Sequence, residues 1–149
     1  MSRIFAPNEG HSFNWGGVEF TFGAAAIPLG SSAAAEFAAA GRLIRRGIAE
    51  GKTLHVPVTV FLELEWVLRS SFGFGKGEVV RTLSALLSAA ELSFESETAL
   101  ELALARYAES SADFPDCLHV ALAIQAGHPP LWTFDKGAAR IPGARLLRA

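Results

Sequence analysis

The chain has 149 residues, half of them apolar; that is enough for one domain with a real core and too little for two ordinary ones, so a single domain over residues 1–149 is expected. A formal charge of −2 and a pI near 6.1 exclude a general basic field that would hold nucleic acid. The one cysteine, Cys117, excludes an internal disulfide and a cysteine-rich zinc site.

No stretch has the roughly 18 apolar residues of a membrane span, and the N-terminus lacks the basic start and apolar core of a signal peptide, so a soluble cytoplasmic protein is expected. Residues 1–30 are interrupted by Gly10, Gly16, Gly17, Gly23 and Gly30 together with Pro7 and Pro28; only Val18–Phe22 alternates well enough for a strand. Ser31 or Ser32 can cap a helix to about Glu50, with Phe37, Leu43, Ile44 and Ile48 inward and Gly51 as its stop. Thr53–Val58 reads as a short buried strand.

Thr59 is placed to cap the next helix, which ends near Ser71 and carries a stripe of Val60, Leu64, Val67 and Leu68. After the FGFGKG turn, Glu78–Ala90 forms a helix with Val79, Leu83, Leu86 and Leu87 inward. Leu92–Phe94 is a brief strand. Ser96 can cap a helix to about Ser110 that buries Leu100, Leu104 and Tyr107. From Asp113 to Ala126 runs a helix apolar on nearly every face, stopped by Gly127. Leu131–Phe134 and Ala144–Leu147 are strands around a short helical turn. Strands separated by helices indicate an α/β domain with a mainly parallel sheet, whose sites lie at the carboxyl ends of the strands.

Only three aspartates occur, Asp113, Asp116 and Asp135, all near the C-terminus. Asp113 suits an N-cap as well as a site. Asp116 opens an apolar helix with no Lys or Arg beside it in sequence, so a cation is a reasonable partner. Asp135 follows a strand; by itself a turn-forming role is the simpler reading. Glu65 stands four residues before Arg69, the order of a surface ion pair, whereas Glu63 shares the stripe of Val60 and Val67 and needs a partner there. Glu63, Asp116 and Asp135 together make a hard oxygen set suited to Mg²⁺ or Mn²⁺, ions that activate water against phosphodiesters. His55 and His119 are read as core or structural histidines. The basic groups Arg42, Arg45 and Arg46, Arg69 with Lys76, and Lys136 with Arg140 are read as solvated charges.

From about Val56 to Leu147 the chain resembles the VapC toxins of the PIN-domain family, found in type II toxin-antitoxin systems. The resemblance is carried, in order, by VPVTVFLELEWVLRSSFGF, ADFPDCLHVALAIQAG and LWTFDKGAAR. It implies a three-layer α/β/α fold, metal-dependent endoribonuclease activity, neutralisation by a small cognate antitoxin, and a homodimer. By motif position it implies that Glu63, Asp116 and Asp135 are catalytic metal ligands, with Asp113 a companion acid and Thr133 a supporting hydroxyl.

Residues 1–30 depart from the family, which begins with a strand ending in a metal-binding aspartate. Here no aspartate precedes residue 113, and Glu19, Glu9 and Asn14 are the remote substitutes. Codons allowed for residues 23–30 include choices that, read one base later, spell Val-Leu-Leu-Arg-Tyr-Leu-Leu, similar to the helix that follows that aspartate. The gene sequence tests this frameshift hypothesis. A competing reading is a catalytically impaired PIN-fold module that binds an antitoxin or RNA without cutting.

Overall fold

A computed structural model describes residues 12–15, 18–21 and 31–148, with side chains from residue 39 onward. The expectations for Glu9, for the Asn14 and Glu19 side chains, for the Ser31 or Ser32 cap, for inward Phe37 and for residues 22–30 lie outside the described residues.

The elements are β1 (Ser12–Trp15), β2 (Val18–Thr21), α1 (Ser31–Ala49), β3 (Leu54–Val56), α2 (Val58–Ser70), α3 (Lys76–Leu87), β4 (Leu92–Phe94), α4 (Glu97–Glu109), α5 (Phe114–Gln125), β5 (Leu131–Thr133), a 3₁₀ turn (Ala138–Arg140) and β6 (Ala144–Leu146). The expected α/β character is present. β3 pairs with β4 in parallel, Leu54 opposite Leu92, and β5 with β6 in parallel, Leu131 opposite Ala144. Among the described residues these remain separate two-stranded pairs, and β1 and β2 form an antiparallel pair that the sequence reading only half anticipated.

The core lies where α2, α3, α4 and α5 meet. Its largest fully buried side chains include Phe61, Phe114, Leu83, Leu100 and Leu118. Phe61 touches Phe94 edge-on with ring centres 5.6 Å apart and Phe114 at 6.1 Å, while Tyr107 meets Phe114 at 5.7 Å. The inward faces expected for α3 and α4 are observed: Val79, Leu83, Leu100, Leu104 and Tyr107 are all buried, and Leu86 and Leu87 pack half-buried against them.

Helix α2 keeps part of the expected stripe, with Leu68 buried and Leu64 and Val67 half-buried, but the centre of its buried face lies elsewhere. Phe61, Glu65 and Leu68 are buried, Val60 is 49% exposed, and Glu63 is exposed. Its sequence, VTVFLELEWVLRS, is apolar on several sides, so periodicity alone did not select a stripe. The ring contacts of Phe61 did, and residues 61, 65 and 68 follow one line on a helix. Nor does Thr59 cap α2. Pro57 stands at the N-cap, and the Val58 N–H donates to Glu95 Oε2 at 2.9 Å, placing a carboxylate against the positive helix end. Ser96 stands at the N-cap of α4 but contributes no side-chain capping bond.

In α1, Leu43 and Ile48 are exposed rather than inward, because among the described residues nothing covers that face. β3 is not fully buried either, with His55 exposed between half-buried Leu54 and Val56. Gly143 has φ +100, and a Cβ there would lie 2.8 Å from Ile124 Cδ1. Only glycine lets the turn before β6 approach α5 this closely. Among the described residues no helix is long and apolar enough to cross a membrane.

Truncation should separate core from surface. Phe61→Ala is expected to lose about 3–5 kcal/mol in urea unfolding, whereas Trp132→Ala, on a residue 56% exposed, should change stability by about 0.5 kcal/mol or less. Equal losses would contradict the placement of the α2 core face.

Candidate active site

The polypeptide turns from β5 into the 3₁₀ turn at Asp135, and α5 begins just after Asp113. Asp113 is the N-cap of α5: the Asp116 N–H donates to its Oδ1 at 3.0 Å. The capping role considered for Asp113 is therefore real, and it also sets the Asp113 charge one helical turn from Asp116.

Asp116 is half-buried. Burial pushes its carboxyl above the usual range, and the neighbouring acids Asp113 and then Asp135 push it further; His119 pulls the other way. All three aspartates thus share one electrostatic neighbourhood. His119 is exposed beside them, and His55 is exposed on β3, so neither is a core residue. Both fall on the solvent side because the apolar neighbours of each fill the interior, Leu118 and Val120 in one case, Leu54 and Val56 partly in the other.

Asp135 Oδ1 accepts from the Gly137 N–H and, at 2.8 Å, from the Ala138 N–H, so the turn-forming role is also real. Its Oδ2 takes no part in these bonds. Thr133 Oγ1 accepts from the Asp135 N–H at 3.0 Å. The hydroxyl therefore braces the backbone of the acid. A Cβ on Gly137 would lie 2.9 Å from Asp135 Oδ1, so the absent side chain leaves room for the carboxylate.

Glu63 is not among the groups that shift Asp116. It lines a cavity of about 300 Å³ together with Leu62, Glu65, Trp66, Arg69 and Pro115, and Pro115 precedes Asp116 in the chain. The partner requirement that sequence reasoning placed on Glu63 belongs to Glu65. That side chain is 1% exposed, and its Oε1 accepts from Arg69 Nε at 3.0 Å. The pair exists as the four-residue spacing indicated, but its acid is inside. Hydrogen bonding and charge from Glu65 push Arg69 up, so the cation persists. The spacing of Glu65 from Phe61 and Leu68 was the signal that could have found it.

Nor are Arg69 and Lys76 merely solvated. Lys76 Nζ donates to the Ser110 carbonyl and lies 4.4 Å from the Tyr107 ring centre. Burial raises Tyr107, and burial also raises the Cys117 thiol, which is enclosed by the core and chemically quiet.

The sequence profile of the PIN domain matches residues 30–144. The chain belongs to the PIN domain family. No curated protein and no solved structure matches it. PIN domains are generally divalent-metal-dependent nucleases, and the fold here is of that nuclease type. Among the described residues no three His, Cys, Asp or Glu side chains are grouped closely enough to hold a metal ion by themselves. The donors nevertheless suit a hydrated ion. Mg²⁺ commonly keeps several waters and takes one or two protein carboxylates plus substrate phosphate, and Asp116 with Asp135 supplies two unneutralised ones.

The raised Asp116 has a measurable sign. The folded state keeps its proton to higher pH than the unfolded chain, so stability falls as pH rises from the ordinary carboxylate value through the raised one. Asp116→Asn should therefore raise Tm at pH 7, with the gain disappearing below about pH 3.9, the unfolded-state value. Asp113→Ser should keep the cap yet lower the Asp116 carboxyl, read by NMR titration. Asp113→Ala should also lower that carboxyl, but with loss of a cap that contributes about 1 kcal/mol.

Proposed function

We propose that this PIN-domain protein is a VapC-like toxin, a metal-dependent endoribonuclease that cleaves RNA phosphodiester bonds. Asp116 carries the reading: a half-buried carboxyl pushed up by its own burial and by Asp113 and Asp135 is a group that a divalent cation would relieve. In the proposed set Glu63, Asp116 and Asp135 are the catalytic ligands of Mg²⁺ or Mn²⁺, with Asp113 beside them and Thr133 in support.

When bound, such an ion supplies Lewis-acid stabilisation of charge on the phosphodiester and makes water a better nucleophile. Asp113 fixes the first turn of α5 and with it the position of Asp116. Thr133 and the N–H groups of Gly137 and Ala138 hold Asp135. Glu63 brings a carboxylate from α2 to the cavity wall. Substrate attraction is local, because the net charge is slightly negative. The same proposal includes inhibition by a small cognate antitoxin, a homodimer and a cytoplasmic location.

A second reading, a silent PIN-fold module that binds RNA or an antitoxin without cutting, is favoured by a specific observation. Among the described residues no three acids are grouped closely enough to hold a metal ion by themselves. RNA cleavage in Mg²⁺ separates the two. The endonuclease reading expects cleavage that EDTA abolishes and that Asp116→Asn reduces by more than the roughly 10–100-fold typical of losing an outer-shell partner. Failure of both proteins to cut would support the silent module.

A further inference from the structure

Charge is unevenly placed along the chain. Residues 131–149 hold four cations, Lys136, Arg140, Arg145 and Arg148, and one acid, Asp135, a net +3, whereas residues 1–130 hold nine cations and fourteen acids, a net −5. All four late cations are exposed, and none joins the ion pairs formed among the described residues, which use Arg46, Lys52 and Arg69. The same stretch exposes two aromatic rings, Trp132 at 56% and Phe134 at 74%.

Trp132 of β5 stands opposite Arg145 of β6 in a parallel register. Along each strand the exposed residue lies between half-buried ones, Leu131 and Thr133 in β5, Ala144 and Leu146 in β6. Side chains alternate across a sheet, residues paired in register share a face, and neighbouring strands run about 4.8 Å apart. The indole and the guanidinium therefore project side by side from one outward face. Asp135 follows Trp132 by three residues, about 10 Å of extended chain, and Lys136 and Arg140 lie in the turn that Asp135 closes.

A flat ring beside a cation matches the chemistry of a nucleotide, whose base stacks on the indole while the planar guanidinium grips a phosphate. Unpaired cations gathered in an otherwise acidic chain complement a polyanion, whereas an apolar protein partner would have to strip their water. We propose that the outward face of β5 and β6 binds single-stranded RNA, with Trp132 as the stacking platform and Arg145 as the phosphate contact, and leads the strand to Asp135. Lys136, Arg140 and Arg148 supply the surrounding positive field. Delivery of RNA to the acids rests on the RNA-cleavage reading, but binding to this face does not.

The test uses the full chain in EDTA, where metal-dependent cleavage is off, and a fluorescein-labelled oligouridylate of about 12 nucleotides, within the site sizes usual for single-strand platforms. Binding is read by fluorescence anisotropy. Trp132→Ala should weaken it about tenfold with far-UV circular dichroism unchanged, and Trp132→Phe, which keeps a ring, should retain most of the affinity. Arg145→Gln should weaken binding and make the slope of log affinity against log salt shallower by about 0.7, the value for one phosphate contact on a single strand. Arg42→Gln removes the same charge from exposed α1 and should change affinity by less than about twofold, since distant exposed charges are screened.

No binding by the wild-type chain at low salt, affinity unchanged by Trp132→Ala and Arg145→Gln, or a loss from Arg42→Gln as large as that from Arg145→Gln would each overturn the proposal. A dimer in sedimentation that Trp132→Ala dissociates, with RNA affinity unchanged, would also overturn it and make the face a contact between copies. Binding that depends on Trp132 without cleavage in Mg²⁺ would uphold the RNA face while sinking the endonuclease reading; cleavage with the same KM in wild type and both variants would do the reverse.

Discussion

Four aromatic rings from four elements pack in a continuous chain through the core: Phe94 of β4, Phe61 of α2, Phe114 of α5 and Tyr107 of α4. Such pairs add about 0.5–1.5 kcal/mol each beyond the area they bury, but their positional effect matters more here. Burying Phe61 sets the rotation of α2. Because residues four and seven positions later lie on the same line, Glu65 and Leu68 are carried inward, while Glu63 and Trp66 turn outward to the cavity. Burying Phe114 anchors the first turn of α5, so the Asp113 cap and Asp116 stand at the edge of the core. The acids and the cavity are thus consequences of the same aromatic contact.

That placement sets stability against chemistry. Asp116 is half-buried among like charges, and nothing but exposed His119 lowers its carboxyl among the causes of its shift. A site made this way favours a cation and costs the free protein stability, a common conflict between activity and folding. The two other aspartates are each stabilised locally, Asp113 by capping a helix and Asp135 by closing a turn. Capping and site roles do not compete in these residues, because a carboxylate has two oxygens and the backbone bonds named here use one.

Much of the helical framework was legible. In α3 and α4 the large apolar residues Val79, Leu83, Leu100, Leu104 and Tyr107 recur at helical spacing, and that spacing marks them as core. Where the pattern was ambiguous, reasoning from spacing failed. In α2 apolar residues surround the helix, and spacing points to Glu63 as the inward acid, whereas packing buries Glu65. The capping of α2 was illegible for another reason: its donor at Val58 is satisfied by Glu95, 37 positions away, and no local motif records such a partner. The exposure of Leu43 and Ile48 in α1 follows likewise from what neighbours the helix has, which its own sequence does not state.

The sequence by itself determined which chemistry was available: three late aspartates, a motif order that matches the PIN family, and glycines where the backbone must take φ > 0 or pass close to another segment. Local rules suffice for these, since caps, turns and helix periods span only a few residues. Tertiary structure decided how those groups are used. It made Glu65 a buried acceptor with one oxygen unmatched, left Glu63 and Trp66 on an open wall, and put Asp135 within the electrostatic field of Asp116. Burial and charge coupling depend on contacts between residues distant in the chain, so only the packed rings of Phe61 and Phe114 could settle them.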